Sequence, residues 1–449
     1  MIQFPSDFIW GVACAAYQCE GGWDADGKGP SIWDDFCHQT QIVKNGDTGD
    51  TACDSYHRWP EDVALMKAHG VKAYRFSISW PRVIPDGDGA ANEAGLRYYD
   101  DLVNALLEAG IEPMITLYHW DLPSALELRG GWRNRQIADW FGRYADLVAR
   151  RFKGRVRRFM TINEPQCITF LGYGVGALAP GLKLPDGELA RIYHNIALAH
   201  SAAQRAIKAV IPDAQVGFVS CGSLCYPQED TPEGREAAYR ASFDLSDNWG
   251  FRFNLVLDSL VLKRWDDSAP AAVKRFVDTI PEGDWALMET PDFIGINTYN
   301  GQMVDRDGRP VPEAEGASRT ACKWPITPEV MHYGPLNVHR RYGLPLIISE
   351  NGLSCNDIVF MDGQVHDPKR IDFLHRYLAE LSKAVADGAP LLGYLHWSFL
   401  DNFEWSSGYD ERFGLIYVDY TDKRRIPKDS ARWYAHVIET NGACLNPAE

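Results

Sequence analysis

Short apolar runs alternate with longer amphipathic segments along the whole chain. Each run is rich in β-branched and aromatic residues and is followed by a polar loop, as expected for a buried strand. Between the runs, the segment 189–210 places apolar residues every three or four positions, and segments 98–109 and 372–387 do the same, which predicts helices. The predicted strands are residues 8–14, 73–80, 111–119, 156–163, 215–221, 293–298, 346–350 and 391–398.

This alternation predicts an α/β protein whose parallel sheet is covered by helices on its outer face. Eight strand-and-helix units predict closure of the sheet into a (β/α)8 barrel, the TIM-barrel fold. The sequence shows no low-complexity segment, no Gly/Ser-rich or Pro-rich linker and no self-similar repeat. We therefore expect residues 1–449 to form a single domain, with extended loops after the strands forming a pocket.

The composition of the chain limits the kinds of molecule that the protein can bind. The formal net charge of −16 argues against nucleic acid or an anionic membrane as a partner, because both need clustered Lys and Arg. No stretch approaches the roughly 20 apolar residues of a membrane span. The start, MIQFPSDFIWG, lacks a basic region followed by an apolar run, so we expect a cytoplasmic protein. The sequence leaves open whether the chain forms a homo-oligomer.

The ten cysteines are scattered without a CxxC pair. Their spacing fits neither a zinc site nor a small disulfide scaffold, so we expect reduced and mostly buried thiols. The cysteine spacing accordingly predicts no zinc site.

Two glutamates end predicted strands, at the edge where barrels of this kind carry their active sites. Glu164 precedes Pro165, which predicts an extended backbone that projects the carboxylate beyond the strand. Glu350 precedes Asn351 and Gly352, a turn pair that ends its strand. A facing pair of carboxylates can hydrolyse a glycosidic bond, one protonating the leaving oxygen and the other attacking or activating water. Either glutamate alone could equally belong to a structural salt bridge.

Seven motifs are distributed along the chain in a fixed order, from residue 4 to residue 414. By these motifs the chain resembles glycoside hydrolase family 1, the β-glucosidase family, over essentially its whole length. The motifs are FPSDFIWGVACAAYQCEGG at 4–22, YRFSISWPRVIP at 74–85, LYHWDLP at 117–123, TINEP at 161–165, GINTY at 295–299, ISENG at 348–352 and HWSFLDNFEWSSGYDERFG at 396–414.

The resemblance implies a retaining β-glucosidase without metal or cofactor, with Glu164 as acid/base and Glu350 as nucleophile. Its substrates would be terminal β-D-glucosyl residues of cello-oligosaccharides or aryl glucosides. It further implies that Arg75 and Tyr299 support the nucleophile and that the peptide bond between Trp397 and Ser398 is cis. The residues implied to contact substrate are Gln18, His119, Trp120, Asn163, Asn297, Tyr299, Trp324, Trp397, Glu404, Trp405 and Phe413.

Several alternatives stay open within the resemblance. A β-galactosidase or β-fucosidase preference fits the same hydroxyl-binding residues. A 6-phospho-β-glycosidase is disfavoured because the carboxylate of Glu404 would repel a phosphate, and a thioglucosidase because that branch carries Gln where this chain has Glu164. A catalytically silent sugar-binding module is disfavoured because both carboxylates are present.

Overall fold

A computed structural model describes residues 3–446, within which eight parallel strands form a closed barrel. Neighbouring strands pair in chain order, and the eighth strand pairs with the first through Ile9 opposite Gly393 and Ala13 opposite Trp397. The predicted fold class is therefore confirmed. The strands are β1 Ile9–Ala13, β2 Ala73–Ser77, β3 Glu112–Tyr118, β4 Arg158–Asn163, β5 Gln215–Ser220, β6 Phe293–Asn297, β7 Leu346–Asn351 and β8 Leu391–Trp397.

All eight predicted strands form, and the differences lie at their ends. The second predicted strand, 73–80, stops at Ser77 because the helical turn Trp80–Val83 follows. Pro81 lies inside this turn, where its missing N–H costs nothing, whereas in a central strand it would remove a ladder hydrogen bond. The strand predicted over 346–350 extends one residue further, to Asn351.

Helices surround the barrel, and the three predicted amphipathic segments correspond to Asp186–Val210, Glu93–Glu108 and Pro368–Ala386. The predictions 98–109 and 372–387 each extend one residue beyond the helix. The helix Glu93–Glu108 is capped at its start by Asn92, whose side chain accepts a hydrogen bond from the backbone N–H of Ala94. The other helices are Ala16–Cys19, Ile32–Gln39, Ser55–Ala68, Trp80–Val83, Ser124–Glu127, Ile137–Phe152, Pro232–Phe243, Leu255–Leu257, Ala271–Val277, Glu282–Leu287, Val330–Tyr342 and Asp429–Glu439, with π-helical segments at Cys167–Gly174 and Asp258–Leu262.

Two small sheets outside the barrel were not predicted. Cys225–Pro227 pairs in parallel with Gln302–Val304, and Ile416–Val418 pairs antiparallel with Arg425–Pro427. Each strand has three residues, too few to show an alternating pattern in the sequence.

The interior of the barrel is filled by apolar side chains, among them Met114, Met160, Phe293, Ile347 and Leu395, all buried. Because these side chains fill the interior of the barrel, the polar groups of the site lie at the carboxyl ends of the strands. The ten cysteines are free and mostly buried, as expected. Within residues 3–446, none of the helices combines the length and apolar character that crossing a bilayer requires.

Candidate active site

A cavity of about 600 Å³ opens at the carboxyl ends of the strands, and both Glu164 and Glu350 line it. Gln18, Arg75 and Asn163 do not line this surface and are fully buried. The structure therefore brings the residues of the predicted site together at one end of the barrel. The other predicted site residues that line the cavity are His119, Trp120, Asn297, Tyr299, Trp324, Trp397, Glu404, Trp405 and Phe413.

Glu350 lies near the end of β7, where both carboxylate oxygens have strong donors. Arg75 Nη1 donates to Oε1 at 2.6 Å, and the Tyr299 hydroxyl donates to Oε2 at 2.8 Å. The chain can turn away from β7 here only because the next residue but one is glycine: a Cβ on Gly352 would meet the carbonyl oxygen of Trp397 at 1.8 Å. Glu350 is thus held in one position by donors that favour its ionised form.

Glu164 follows β4, but its backbone is not extended as its position before Pro165 predicted. Its φ is +51°, in the left-handed region. The Glu164 N–H donates to the carbonyl oxygen of Val219 at 3.1 Å, and the Glu164 carbonyl accepts from the N–H of Cys167 at 3.1 Å. These two hydrogen bonds turn the chain from the strand directly into the helical segment that follows, and they overcome the local preference.

The carboxyl of Glu164 has weaker partners than that of Glu350. Asn297 Nδ2 donates to Oε1 at 2.8 Å, and the thiol of Cys167 donates to Oε2 at 3.2 Å. Burial and the nearby charge of Glu350 raise the pKa of Glu164 to about 7. Burial also raises the pKa of Glu350, and Arg75 and Tyr299 oppose this effect. The two carboxyls therefore differ in their surroundings: a guanidinium and a hydroxyl favour the ionised form of Glu350, whereas Glu164 keeps a proton part of the time at neutral pH.

A chain of amides and a guanidinium links the two glutamates. Arg75 Nη2 donates to Asn163 Oδ1 at 2.6 Å, and Asn297 Nδ2 donates to the same oxygen at 3.0 Å. The hydroxyl of Ser349 donates to Asn297 Oδ1 at 2.7 Å, which fixes the amide so that its NH₂ faces Glu164. Because every member is hydrogen-bonded, both carboxyls have a defined orientation before substrate arrives.

On the polar side of the cavity opposite these linked amides, some side-chain atoms have no hydrogen-bond partner in the described part of the protein. Gln18 Nε2 donates to the carbonyl of Phe403 at 2.9 Å and approaches Glu404 Oε2 at 3.4 Å, but Gln18 Oε1 has no protein partner within the described part of the chain. His119 Nε2 lies 3.2 Å from Asn163 Nδ2, and His119 Nδ1 is likewise unpartnered there. Burial and Arg75 hold the pKa of His119 well below its usual range, so the ring is neutral. Burial and Glu350 raise the pKa of Glu404 to about 8.

Aromatic rings form the remaining walls in two groups. His119 stacks on Trp397 with ring centroids 5.6 Å apart, and Trp120 packs against Trp405 at 4.5 Å. Nearer the entrance, Tyr299, Trp324 and Phe413 pack together, with 5.2 Å between the first two rings. The first group supplies a flat apolar surface beside polar groups, as a sugar ring requires. The peptide bond between Trp397 and Ser398 is cis, which confirms the prediction.

Part of the cavity lining was not predicted from the sequence. These residues come from the π-helical segment after Glu164 and the loop that follows it, from the loop after β5 and from residues near 250. Short loops and a single π-helix carry no periodic signal, so only their proximity in space identifies them. They include Phe170, Leu171, Leu178, Cys221, Asn248 and Phe251.

The family model of glycosyl hydrolase family 1 matches residues 1–443. The chain belongs to glycosyl hydrolase family 1. Membership confirms the predicted family and enzyme class, since proteins of this family named β-glucosidase match the chain over its full length. One is β-glucosidase A of Thermotoga maritima, 42% identical with 98% of each chain covered. Another is a bifunctional β-D-glucosidase/β-D-fucosidase of Bifidobacterium breve, 40% identical over 98% of this chain and 99% of the relative.

A family 1 structure shows the same architecture. The β-glucosidase of Thermotoga maritima in complex with glucoimidazole superposes with a TM-score of 0.88, at 40% identity, over 98% of this chain and all of that one. The two chains therefore share one fold over nearly their whole length.

Proposed function

We propose that this family 1 enzyme hydrolyses unphosphorylated β-D-glucosides with retention of anomeric configuration, using Glu350 as nucleophile and Glu164 as acid/base. The unequal environment of the two carboxyls supports these roles. Glu350 receives hydrogen bonds from Arg75 and Tyr299, whereas Glu164 has a pKa of about 7 and contacts only an amide and a thiol. A nucleophile must be ionised, and an acid/base must exchange a proton near the working pH.

In the first step, a Glu350 oxygen attacks the anomeric carbon as the bond to the leaving oxygen breaks. Glu164 gives its proton to that oxygen, and a covalent glucosyl-enzyme results. In the second step, Glu164, now ionised, takes a proton from water, and the resulting hydroxide displaces Glu350. Two inversions at one carbon leave the β configuration unchanged. As Glu350 loses its charge in the first step, the electrostatic effect that raises the pKa of Glu164 disappears, which favours its change from acid to base.

The unpartnered polar atoms suggest how the sugar is held. Gln18 Oε1, His119 Nδ1 and the Glu404 carboxyl can pair with the sugar hydroxyls, while Trp397 supports the apolar face of the ring. We assign to Asn163, which is held by Arg75 and Asn297, a contact with the 2-hydroxyl, where a hydrogen bond that strengthens in the transition state accelerates the reaction.

A β-fucosidase activity at the same site is supported by the bifunctional relative from Bifidobacterium breve. By contrast, the acidic groups of Glu164, Glu350 and Glu404 together lower the affinity for a 6-phosphorylated sugar, because a phosphate in this cavity would face repulsion with little water to screen it.

One experiment tests substrate and stereochemistry together. The enzyme is mixed with an aryl β-D-glucoside, and proton NMR follows the first anomer released before mutarotation. We expect β-glucose, and α-glucose would contradict the double displacement. In parallel, kcat/KM is compared for aryl β-D-glucoside, β-D-fucoside, β-D-galactoside and 6-phospho-β-D-glucoside. A higher value on the phosphorylated sugar than on its parent would contradict the proposed substrate class.

A further inference from the structure

Two cysteine thiols that line the cavity lie beside the carboxyl of Glu164. Cys167 Sγ is 3.2 Å from Glu164 Oε2 and 4.0 Å from Cys221 Sγ. A carboxylate oxygen of Glu164 and the two sulfurs all lie within 4.8 Å of one another. Cys167 begins the π-helical segment, whereas Cys221 directly follows β5, so their proximity results from the barrel and not from a sequence motif.

We propose that Glu164, Cys167 and Cys221 form a binding site for a thiophilic divalent cation of the zinc class, and that an ion bound there inhibits the enzyme. The inhibition rests on the proposed role of Glu164 as acid/base, whereas binding of the ion does not. The active enzyme is the metal-free form.

The geometry matches the ion. With zinc–sulfur bonds of about 2.3 Å and zinc–oxygen bonds of about 2.0 Å, a tetrahedral site places two sulfurs about 3.8 Å apart and a sulfur and an oxygen about 3.5 Å apart. The observed separations of 4.0 Å and 3.2 Å differ from these by a few tenths of an ångström. Three protein ligands leave the fourth position open, and all three residues line the cavity, through which a hydrated ion can enter.

Neighbouring groups hold the second thiol in place. Gln166 Oε1 lies 3.5 Å from Cys221 Sγ, and Gln166 Nε2 donates to the hydroxyl of Ser220 at 2.9 Å and to the carbonyl of Arg252 at 2.9 Å. Outer contacts of this kind orient metal ligands before the ion arrives. In addition, the carboxyls of Glu350 and Glu404 line the same cavity, and their ionised forms favour a cation.

Binding exchanges protons for metal bonds, with no change of oxidation state. The ion forms bonds to two sulfurs and one carboxylate oxygen, each thiol releases its proton to water, and Glu164 releases its proton if it holds one. A metal-bound Glu164 can neither protonate the leaving oxygen nor accept a proton from water, so hydrolysis stops in both steps.

The test uses the full-length enzyme, reduced with a phosphine, freed of metal by EDTA and then transferred into metal-free buffer. ZnCl₂ is titrated against hydrolysis of an aryl β-D-glucoside, with each variant compared with its own metal-free rate. We expect inhibition that EDTA reverses, and an inhibition constant at least about tenfold weaker in Cys221→Ser, because a hydroxyl replaces one thiolate ligand. Cys225→Ser, which removes a buried thiol outside the site, is the matched control and should retain the wild-type response.

Binding is also measured directly, with CoCl₂ as probe. We expect a thiolate-to-cobalt charge-transfer band in the near ultraviolet in the wild type and its loss in Cys221→Ser. This readout does not depend on turnover, so it tests the metal site even if the chain lacked β-glucosidase activity. A band retained in Cys221→Ser, or equal zinc sensitivity in Cys221→Ser and wild type, would overturn the proposal.

Two further outcomes would also overturn it. Loss of the response in Cys19→Ser alone would assign the metal to the other thiol group, in which Cys19 neighbours Cys14 and Cys53. Inhibition reversed by reductant but not by EDTA would indicate oxidation of Cys167 and Cys221 to a disulfide instead of metal binding.

Discussion

Two clusters of charged side chains in this protein differ in their ratio of cations to acids. The cavity cluster contains one cation, Arg75, which is paired with Glu350, and two further acids, Glu164 and Glu404. In the second, which we call the balanced cluster, three cations meet three acids: Arg370, Arg412 and Lys428 with Asp357, Asp367 and Asp401.

Burial raises the pKa of acids in both clusters, but the net pKa shift has opposite signs. Burial alone would raise the pKa of Asp357, but Lys428 and Arg370 more than offset it and the pKa is lowered. Glu164, which is buried, and Glu404, which is partly buried, have no ion-pair partner among residues 3–446, and their pKa values are raised to about 7 and about 8. Where cations are as numerous as acids, the carboxylates stay ionised and have a structural role. Where acids outnumber cations, the raised pKa lets a carboxyl exchange its proton near neutral pH.

The largest effect is expected when the cavity cluster loses Glu350. Glu350→Gly removes the attacking oxygen, so we expect kcat on an aryl β-D-glucoside to fall by more than about 10⁴-fold, beyond the range of acid/base removal. Azide entering the vacated space should restore turnover and give the inverted α-glucosyl azide. Product analysis by NMR checks this, and a β-glucosyl azide would reverse our assignment of the two glutamates.

Glu164→Ala should reduce kcat/KM by about 10²–10⁴-fold on substrates whose leaving group needs protonation. With an activated aryl leaving group the first step should survive, and the glucosyl-enzyme should accumulate because no base activates water. Intact-protein mass spectrometry detects the added glucosyl group. Azide, which needs no base, should release it as the β-glucosyl azide. A fall smaller than tenfold on every substrate would show that Glu164 is not the acid/base.

A matched pair of isosteric changes compares the clusters directly. Asp401→Asn removes the charge partner of Arg412 and one of the two charge partners of Lys428, which keeps Asp357. We expect a loss of about 3 kcal/mol in the free energy of unfolding, measured by urea titration. Glu404→Gln, three residues later, should change stability by less than about 1 kcal/mol, yet lower kcat/KM about 10- to 100-fold by weakening hydrogen bonds to sugar hydroxyls. Equal losses of stability would remove the distinction between the clusters.

The smallest effect concerns pH. The free enzyme reacts with Glu164 protonated, so kcat/KM should fall as pH rises through about 7. Because the charge of Glu350 helps to raise this pKa, Glu350→Gln should lower the pKa of Glu164, as measured by carbon NMR of labelled glutamate. An unchanged pKa would show that burial alone sets its value.

The sequence was sufficient for the barrel and for most of the site. Strand runs buried on both faces are recognisable from their apolar composition, and Glu164 and Glu350 lie in motifs with a fixed order. The left-handed φ of Glu164 was not predictable, because it depends on a hydrogen bond to Val219 on another strand. The balanced cluster and the thiol of Cys221 were missed for the same reason: their partners lie far away in sequence and meet only through the fold.

The hydrogen bond from Arg75 to Glu350 joins residues 275 positions apart, and that from Gln18 to Asn402 joins residues 384 apart. An early folding intermediate made of a few strands that are consecutive in the chain cannot contain both ends of these contacts. The first joins β2 to β7, and the second joins the segments that follow β1 and β8. Recovery of hydrolysis after dilution from denaturant should therefore coincide with the slowest structural phase of refolding. Catalysis thus serves as a kinetic marker for completion of the fold.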